Sequence, residues 1–468
     1  MTKSQGSPKK WDDRTLARIT ILSCAKQAGE AKGSDARSKL IILSCGLVRK
    51  PVGIICARER QTDLLKLLDV LEKWASGQKE INLSDKEWLK SYFEYFRNNY
   101  FYFGDFLRNS AVASAVAMAA PSAAFSILPG NPAAADELIG HGEFRYKVDK
   151  GWAKISINSN PVFNCHEMVQ DSKGRLIMLG DNVHNNILIF DKSGKLLDYW
   201  GTAWPGGHGL SLSKEGGDEF LFIVDCGWYQ DRSGNWTPQA GQVVKTDLTG
   251  RIIFTIGHPR TIGIYKDTEK FMPTETAIAP NGDIYVADGY GSDYVIHYNS
   301  KGEYIRHFGG HNNSNPDLNF HCAHGVAIDS RDTMNPTLIV TSREENCFKV
   351  FTLDGKFLHR IDTPGMYVCR PVLNDNHLYA GVCWSKDQDG KMIGGASGFV
   401  TILDKDNKVV SNPGGNAPVY KNNALLQTLQ APGQLFQHCH DVCVDDDKNL
   451  YICQWNANQT PPIKLTRV

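Results

Sequence analysis

Three histidines recur at equal intervals along this chain of 468 residues: His208, His324 and His440, with steps of 116. Each opens a short β-type run: HGLSLS, HGVAID and HDVCVD. Imidazole is the commonest side-chain ligand for a transition metal, and three from separate elements hold zinc while leaving a fourth position open. The pattern therefore predicts a catalytic metal centre rather than a sealed one. Similar runs begin at His166 (HEMVQD), Glu275 (ETAIAP) and Arg370 (RPVLND), which makes His166 and Glu275 further candidate ligands at the same register. Asp441 follows His440, and a buried carboxylate needs a cation or strong donors. A calcium ion deeper along the axis, completed by backbone oxygens, would satisfy it. Because strand side chains alternate, Cys165, Cys439 and Gly325 are expected to face away from the axis as packing positions.

Such a ring needs a scaffold that brings six strands to one axis. From about Asn158 the chain consists of short β-type runs punctuated by Gly, Asn and Asp. DSKGRLIMLGDNVHNNILIFDKSGKLLDYWG (171–201) is repeated almost position for position by APNGDIYVADGYGSDYVIHYNSKGEYIRHFG (279–309). Further copies follow at 335–361 and 449–468, and two degenerate ones fall between, giving six units. Periods of about 40 to 50 residues with several strands each indicate propeller blades, since one blade cannot bury its own faces. The fold class expected is all-β, a six-bladed β-propeller over 151–468. Alternate blades place three side chains about 120° apart, the disposition three imidazoles need around one ion.

Upstream, residues 1–103 read as a charged, mainly helical region without recognisable chemistry. Residues 104–150 form an Ala-rich, signal-like segment and linker. GDFLRNSAVASAVAMAAPSAAFS (104–126) resembles the core of a twin-arginine export signal, with Phe103 and Gly104 standing where the arginines belong. Export to a periplasmic or extracellular space is the expectation if that segment works, and a cytoplasmic place if it does not. The Ala-rich run is too short to span a bilayer, so no membrane span is expected.

Lys+Arg and Asp+Glu each total 51, so no global field attracts a polyanion, and nucleic acid is excluded as a partner class. The 12 cysteines show neither CxxC pairs nor regular spacing and are expected to be buried thiols. A small-molecule substrate and a monomer are the expectation, with a protein partner left open.

The repeat resembles the NHL class of propeller blade. Through HGLS, PTETAIAPNGDIYVADGY, AHGVAID with SREEN, and HDV, most of 158–468 resembles the lyase domain of the peptidylglycine α-amidating family. That resemblance implies zinc on His208, His324 and His440. It implies calcium on the carbonyls of Met168 and Leu210 with Asp441, a catalytic Tyr290 in DGY, and a carboxylate-binding Arg343. In that family the site cleaves the C–N bond of an α-hydroxyglycine to give an amide and glyoxylate. The chain also departs from it. Gly180 and Asp181 stand where a first-blade arginine belongs, His438 replaces a methionine, and Met272 and Gly291 replace a disulfide pair. The expectation is a zinc-dependent, lyase-like enzyme for a small hydroxylated or carbonyl compound. The alternatives are a non-catalytic NHL binding platform and a lactonase-like metal-dependent hydrolase.

Overall fold

The repeat is built on a turn whose chemistry lies in its first and fourth residues. In Asp191-Lys192-Ser193-Gly194-Lys195 the Asp191 carboxylate accepts from the amides of Ser193 and Lys195 at 2.8 and 3.1 Å. Gly194 takes φ +84°, and a Cβ there would lie 1.8 Å from the Trp152 carbonyl oxygen, so only glycine fits. Asp171, Asp247, Asn299, Asp404 and Asp445 cap their own turns in the same way. A side chain that satisfies two turn amides fixes the hairpin it opens.

The computed structural model describes residues 138–468 apart from 157–158, 231–234, 388, 394–395 and 434. The helical region expected over 1–103 and the signal-like segment at 104–126 lie outside the described residues. Within them the chain is all-β, six antiparallel sheets forming a six-bladed propeller, with one 3-10 turn at Pro259–Ile262. The innermost strands are Cys165–Gln170, Gly207–Glu215, Glu275–Ile278, Ala323–Asp329, Met366–Asn374 and Cys439–Val444. Between consecutive blades lie six buried apolar clusters. Each carries strand residues from both neighbours, such as Leu179 and Ile187 against Leu210 and Ile223. Burial of a side chain of this size contributes about 1.5–3 kcal/mol, which is why blades cohere only as a ring. The nine cysteines among the described residues are buried and unpaired thiols. No helix among those residues is long and apolar enough to cross a membrane.

The ring closes through a strand that sequence periodicity had left in the linker. Phe144–Asp149 pairs antiparallel with Ile463–Arg467, Tyr146 opposite Arg467, and Leu138–His141 extends the same sheet. The last blade therefore takes its outer strands from before residue 151. Phe144 and Tyr146 are buried in the cluster between blades five and six. A fragment starting at Ala134 should melt cooperatively, whereas one starting at Gly151 should lose two buried aromatics, each worth about 3–5 kcal/mol. Thermal melts of both fragments check this, and equal stability would dismiss the closing strand.

Candidate metal centre

A regular strand cannot aim two successive residues at the same axis, and a bulge at this point lets five of the six innermost strands depart from that rule. In blade six Cys439 pairs with Gln454 and Asp441 with Cys453, so His440 is the extra residue. Register shifts likewise fall at His166 in blade one and His208 in blade two. In blade four the pairs Ala323–Ser342 and Val326–Val340 bracket His324, and in blade five Val368–Val382 and Pro371–Ala380 bracket Arg370. The result is two tiers around the axis. The upper holds His166, His208, His324 and His440; the lower holds Glu167, Glu275, Arg370 and Asp441. Glu275 and Arg370 thus sit one residue further along than the histidines, not at their register. Glu275 therefore leaves the imidazole ring. Cys165 and Cys439 pack into the interblade clusters, as alternation predicts.

All four imidazoles of the upper tier are buried. Ring centroids of His208, His324 and His440 lie 4.5–5.0 Å apart, and His166 is 5.1 and 4.9 Å from His208 and His440. Ring nitrogens of His166, His208 and His440 come within 4.8 Å of one another, a grouping able to hold a metal ion. His208 Nδ1 donates to the Thr274 carbonyl at 2.8 Å, and His440 Nδ1 donates to the His166 carbonyl at 3.1 Å. A carbonyl only accepts, so both rings carry their proton on Nδ1 and turn Nε2 lone pairs inward. Those two Nε2 atoms face each other at 3.1 Å. Two lone pairs at that distance repel unless a cation lies between them. Ligands at about 2.0–2.1 Å from a tetrahedral zinc are themselves about 3.3 Å apart, so the donors fit the metal. Burial, and then the neighbouring imidazoles and Arg343, pushes His208, His324 and His440 well below the usual histidine range and keeps them neutral.

Tyr290 lies against this cluster. Its hydroxyl is 3.2 Å from His208 Nε2 and 3.1 Å from His324 Nε2, and Arg343 Nη1 donates to it at 3.4 Å. Burial pushes the phenol up, and the Arg343 charge opposes that. Loss of the first-blade arginine therefore does not leave Tyr290 without a cation. Arg343 is buried, with its guanidinium 5.4 and 5.5 Å from the rings of Tyr290 and Trp384. Glu345, a sequence neighbour, is taken by Lys349 at 3.0 Å and by Arg360. No carboxylate among the described residues pairs with Arg343, and its Nε lacks a partner there.

Three polar residues near the mouth, Asp181, His184 and His438, are placed differently. His184 is exposed. Asp181 turns inward, held by both nitrogens of Asn164, with its carboxylate 3.5 Å from His166 Nε2. His438 is buried against Trp384 and Trp455 and bonded to the Trp455 carbonyl, outside the ring of four imidazoles. Strand alternation does not single out Glu167; its one sequence signal is its place beside His166, parallel to Asp441 beside His440. Burial and the other acids push Glu167 up, and burial does the same for Glu275.

The expected calcium site has a different occupant. Arg370 Nη1 donates to the Leu210 carbonyl at 2.7 Å and Nη2 to the Met168 carbonyl at 3.1 Å. Nε and Nη2 grip Asp441 at 3.0 and 2.8 Å. The oxygens assigned to calcium are committed to a guanidinium, so these residues do not fit the ion as they stand.

No protein-family model matches the chain. It is 26% identical over 240 residues to NHL repeat-containing protein 3 of Mus musculus, covering 46% of this chain and 65% of that protein. It is 25% identical over 222 residues to a probable peptidyl-alpha-hydroxyglycine alpha-amidating lyase, pgal-1, of Caenorhabditis elegans, covering 46% of this chain and 54% of that one. The match thus spans between half and two thirds of the length of these relatives. A gluconolactonase of Xanthomonas campestris superposes with TM-score 0.43 at 12% identity over 69% of this chain and 90% of its own, a likeness too loose to bear on chemistry. The chain is a six-bladed propeller that resembles NHL-repeat proteins and the amidating lyase.

Proposed function

We propose that the protein is a zinc-dependent, lyase-like enzyme acting on a small hydroxylated or carbonyl compound that carries a carboxylate. The observation that carries this reading is the pair of inward Nε2 lone pairs of His208 and His440, 3.1 Å apart with both Nδ1 protons tied to carbonyls. His324 is the third ligand, on the blade that completes the alternate set. Zinc, when bound there, supplies a Lewis acid for a hydroxyl or carbonyl oxygen.

The remaining work falls to the chain's own groups. Arg343, buried without a carboxylate partner among the described residues, holds the substrate carboxylate through a bidentate pair and so fixes its orientation. Tyr290 moves a proton to or from the reacting oxygen or leaving group, its hydroxyl lying between the histidines and Arg343. His166, whose ring nitrogen also converges with those of His208 and His440, has the Asp181 carboxylate 3.5 Å from its Nε2 and flanks the site on the side where the amidating family places an arginine. An anion at that position disfavours a second acidic group on the substrate, which separates this pocket from the family's.

A panel of α-hydroxy and α-keto acids, with an N-acyl-α-hydroxyglycine beside them, tests the reading in zinc-loaded and metal-stripped protein. Zinc-dependent turnover of a small acid, with the acylated glycine weak or silent, is expected. Arg343→Gln should raise KM about 10- to 100-fold for carboxylates, the loss of a charge-assisted hydrogen-bond pair, and raise it far less for uncharged analogues. Efficient cleavage of the acylated glycine would instead assign the family's own reaction. His166→Ala should retain the metal; loss of metal in that variant would move the third ligand from His324 to His166.

A further inference from the structure

The lower tier carries a chemistry of its own. Three carboxylates, Glu167, Glu275 and Asp441, converge on the propeller axis, all buried. The carbonyls of Met168 and Leu210 point to the same spot. Oxygen ligands of this kind, in this number, are what a hard divalent cation takes. Into their midst runs the side chain of Arg370 from blade five. It grips Asp441 of blade six with two nitrogens and reaches the carbonyls of Leu210 in blade two and Met168 in blade one. Its Nη1 is 3.4 Å from Glu167 and its Nε 3.8 Å from Glu275 of blade three. One guanidinium therefore touches four blades besides its own. The remaining blade makes room: a Cβ on Gly325 would lie 2.7 Å from the Arg370 Cα. The acceptors are themselves braced, since the Leu210 amide donates to Glu167 at 2.7 Å and the Met168 amide to Asp441 at 3.0 Å.

We infer that Arg370 is a built-in cation that replaces a bound calcium ion as the axial pin of this propeller. A guanidinium is always charged and presents five donors in a plane, so it can satisfy carboxylates and carbonyls arranged around an axis. Being covalently attached, it neither dissociates nor answers to calcium concentration or to chelators. A vestibule of about 370 Å³, lined by Met168, Ser211, Thr276, Val326, Arg370 and Val444, opens on the side of this tier away from the histidines. The pin thus closes the tunnel beneath the candidate metal centre.

Calcium chloride alone is the probe, with one equivalent of zinc kept in every buffer so that the histidine site stays loaded. Wild-type protein should hold no calcium by elemental analysis, and 5 mM calcium should leave its melting temperature unchanged within about 1 °C. Arg370→Ala should melt lower, and calcium should raise it by about 3 °C or more, since an ion that binds only the native state stabilises it by mass action. Adding Asp441→Asn to that variant should abolish the response. If Arg370→Ala folds only in the presence of calcium, the soluble yield with and without the ion gives the same answer. One calcium per wild-type chain, or an Arg370→Ala protein indifferent to calcium, would overturn the proposal. Zinc content measured on the same samples keeps its failure apart from failure of the metal-centre reading.

Discussion

His208→Ala and His440→Ala should each lose the transition metal and at least about 10³-fold in rate on the best substrate of the acid panel. The magnitude follows from what each ring does. His208 and His440 supply the two facing Nε2 lone pairs, and each is locked in its tautomer by a carbonyl from the next blade. Removing either leaves two of the three proposed ligands, and even substitutions of groups that only orient a ligand cost about 10- to 100-fold in affinity. The companion measurement is the far-ultraviolet spectrum and melt of each variant, because the ring packs against neighbours on both sides. Retention of a full equivalent of metal by both variants would remove these residues from the centre.

Tyr290→Phe should retain the metal and lower kcat by about 10²-fold or more, the size of a missing proton-transfer group. The substitution keeps the ring that lies under Arg343 and against His208 and His324. It removes only the hydroxyl held between two Nε2 atoms and Arg343 Nη1. KM should change little, since the carboxylate is held by Arg343. An unchanged kcat with metal in place would leave Tyr290 as a wall of the pocket. A large rise in KM alone would make it a binding residue instead.

The blades were legible because each repeat writes its own turn. An Asx residue capping two amides, a residue with positive φ three places later and alternating apolar strands are local features that mark most of the repeats, with Thr352 standing for the Asx in blade four. The closing strand was not legible. FRYKVD at 144–149 pairs with a strand more than three hundred residues away, and nothing local marks a strand that completes someone else's sheet. The alternating histidines were legible because their spacing repeats the blade period. What periodicity could not reveal was the bulge, since it assumes strict alternation and so merges two tiers into one register. That merger put Glu275 among the imidazoles and hid Glu167.

The pairing of the two axial arginines shows the same limit. Glu344 and Glu345 adjoin Arg343 in sequence, but Lys349 and Ser342 claim Glu345, and no carboxylate among the described residues pairs with Arg343. Sequence gave Arg370 no task, because its partners come from blades one, two, three and six. Proximity along the chain decides turns and strands; which charges meet at an axis is decided by closure of the ring.

The proposed zinc centre requires that the facing imidazoles hold a metal ion. Elemental analysis of the full chain, purified without chelator from cells grown with added zinc and dialysed against metal-free buffer, tests it most directly. About one transition-metal ion per chain, predominantly zinc, is the predicted result. A preparation that is folded, six-bladed by spectroscopy and free of transition metal, and that takes none up on titration with zinc, would contradict it.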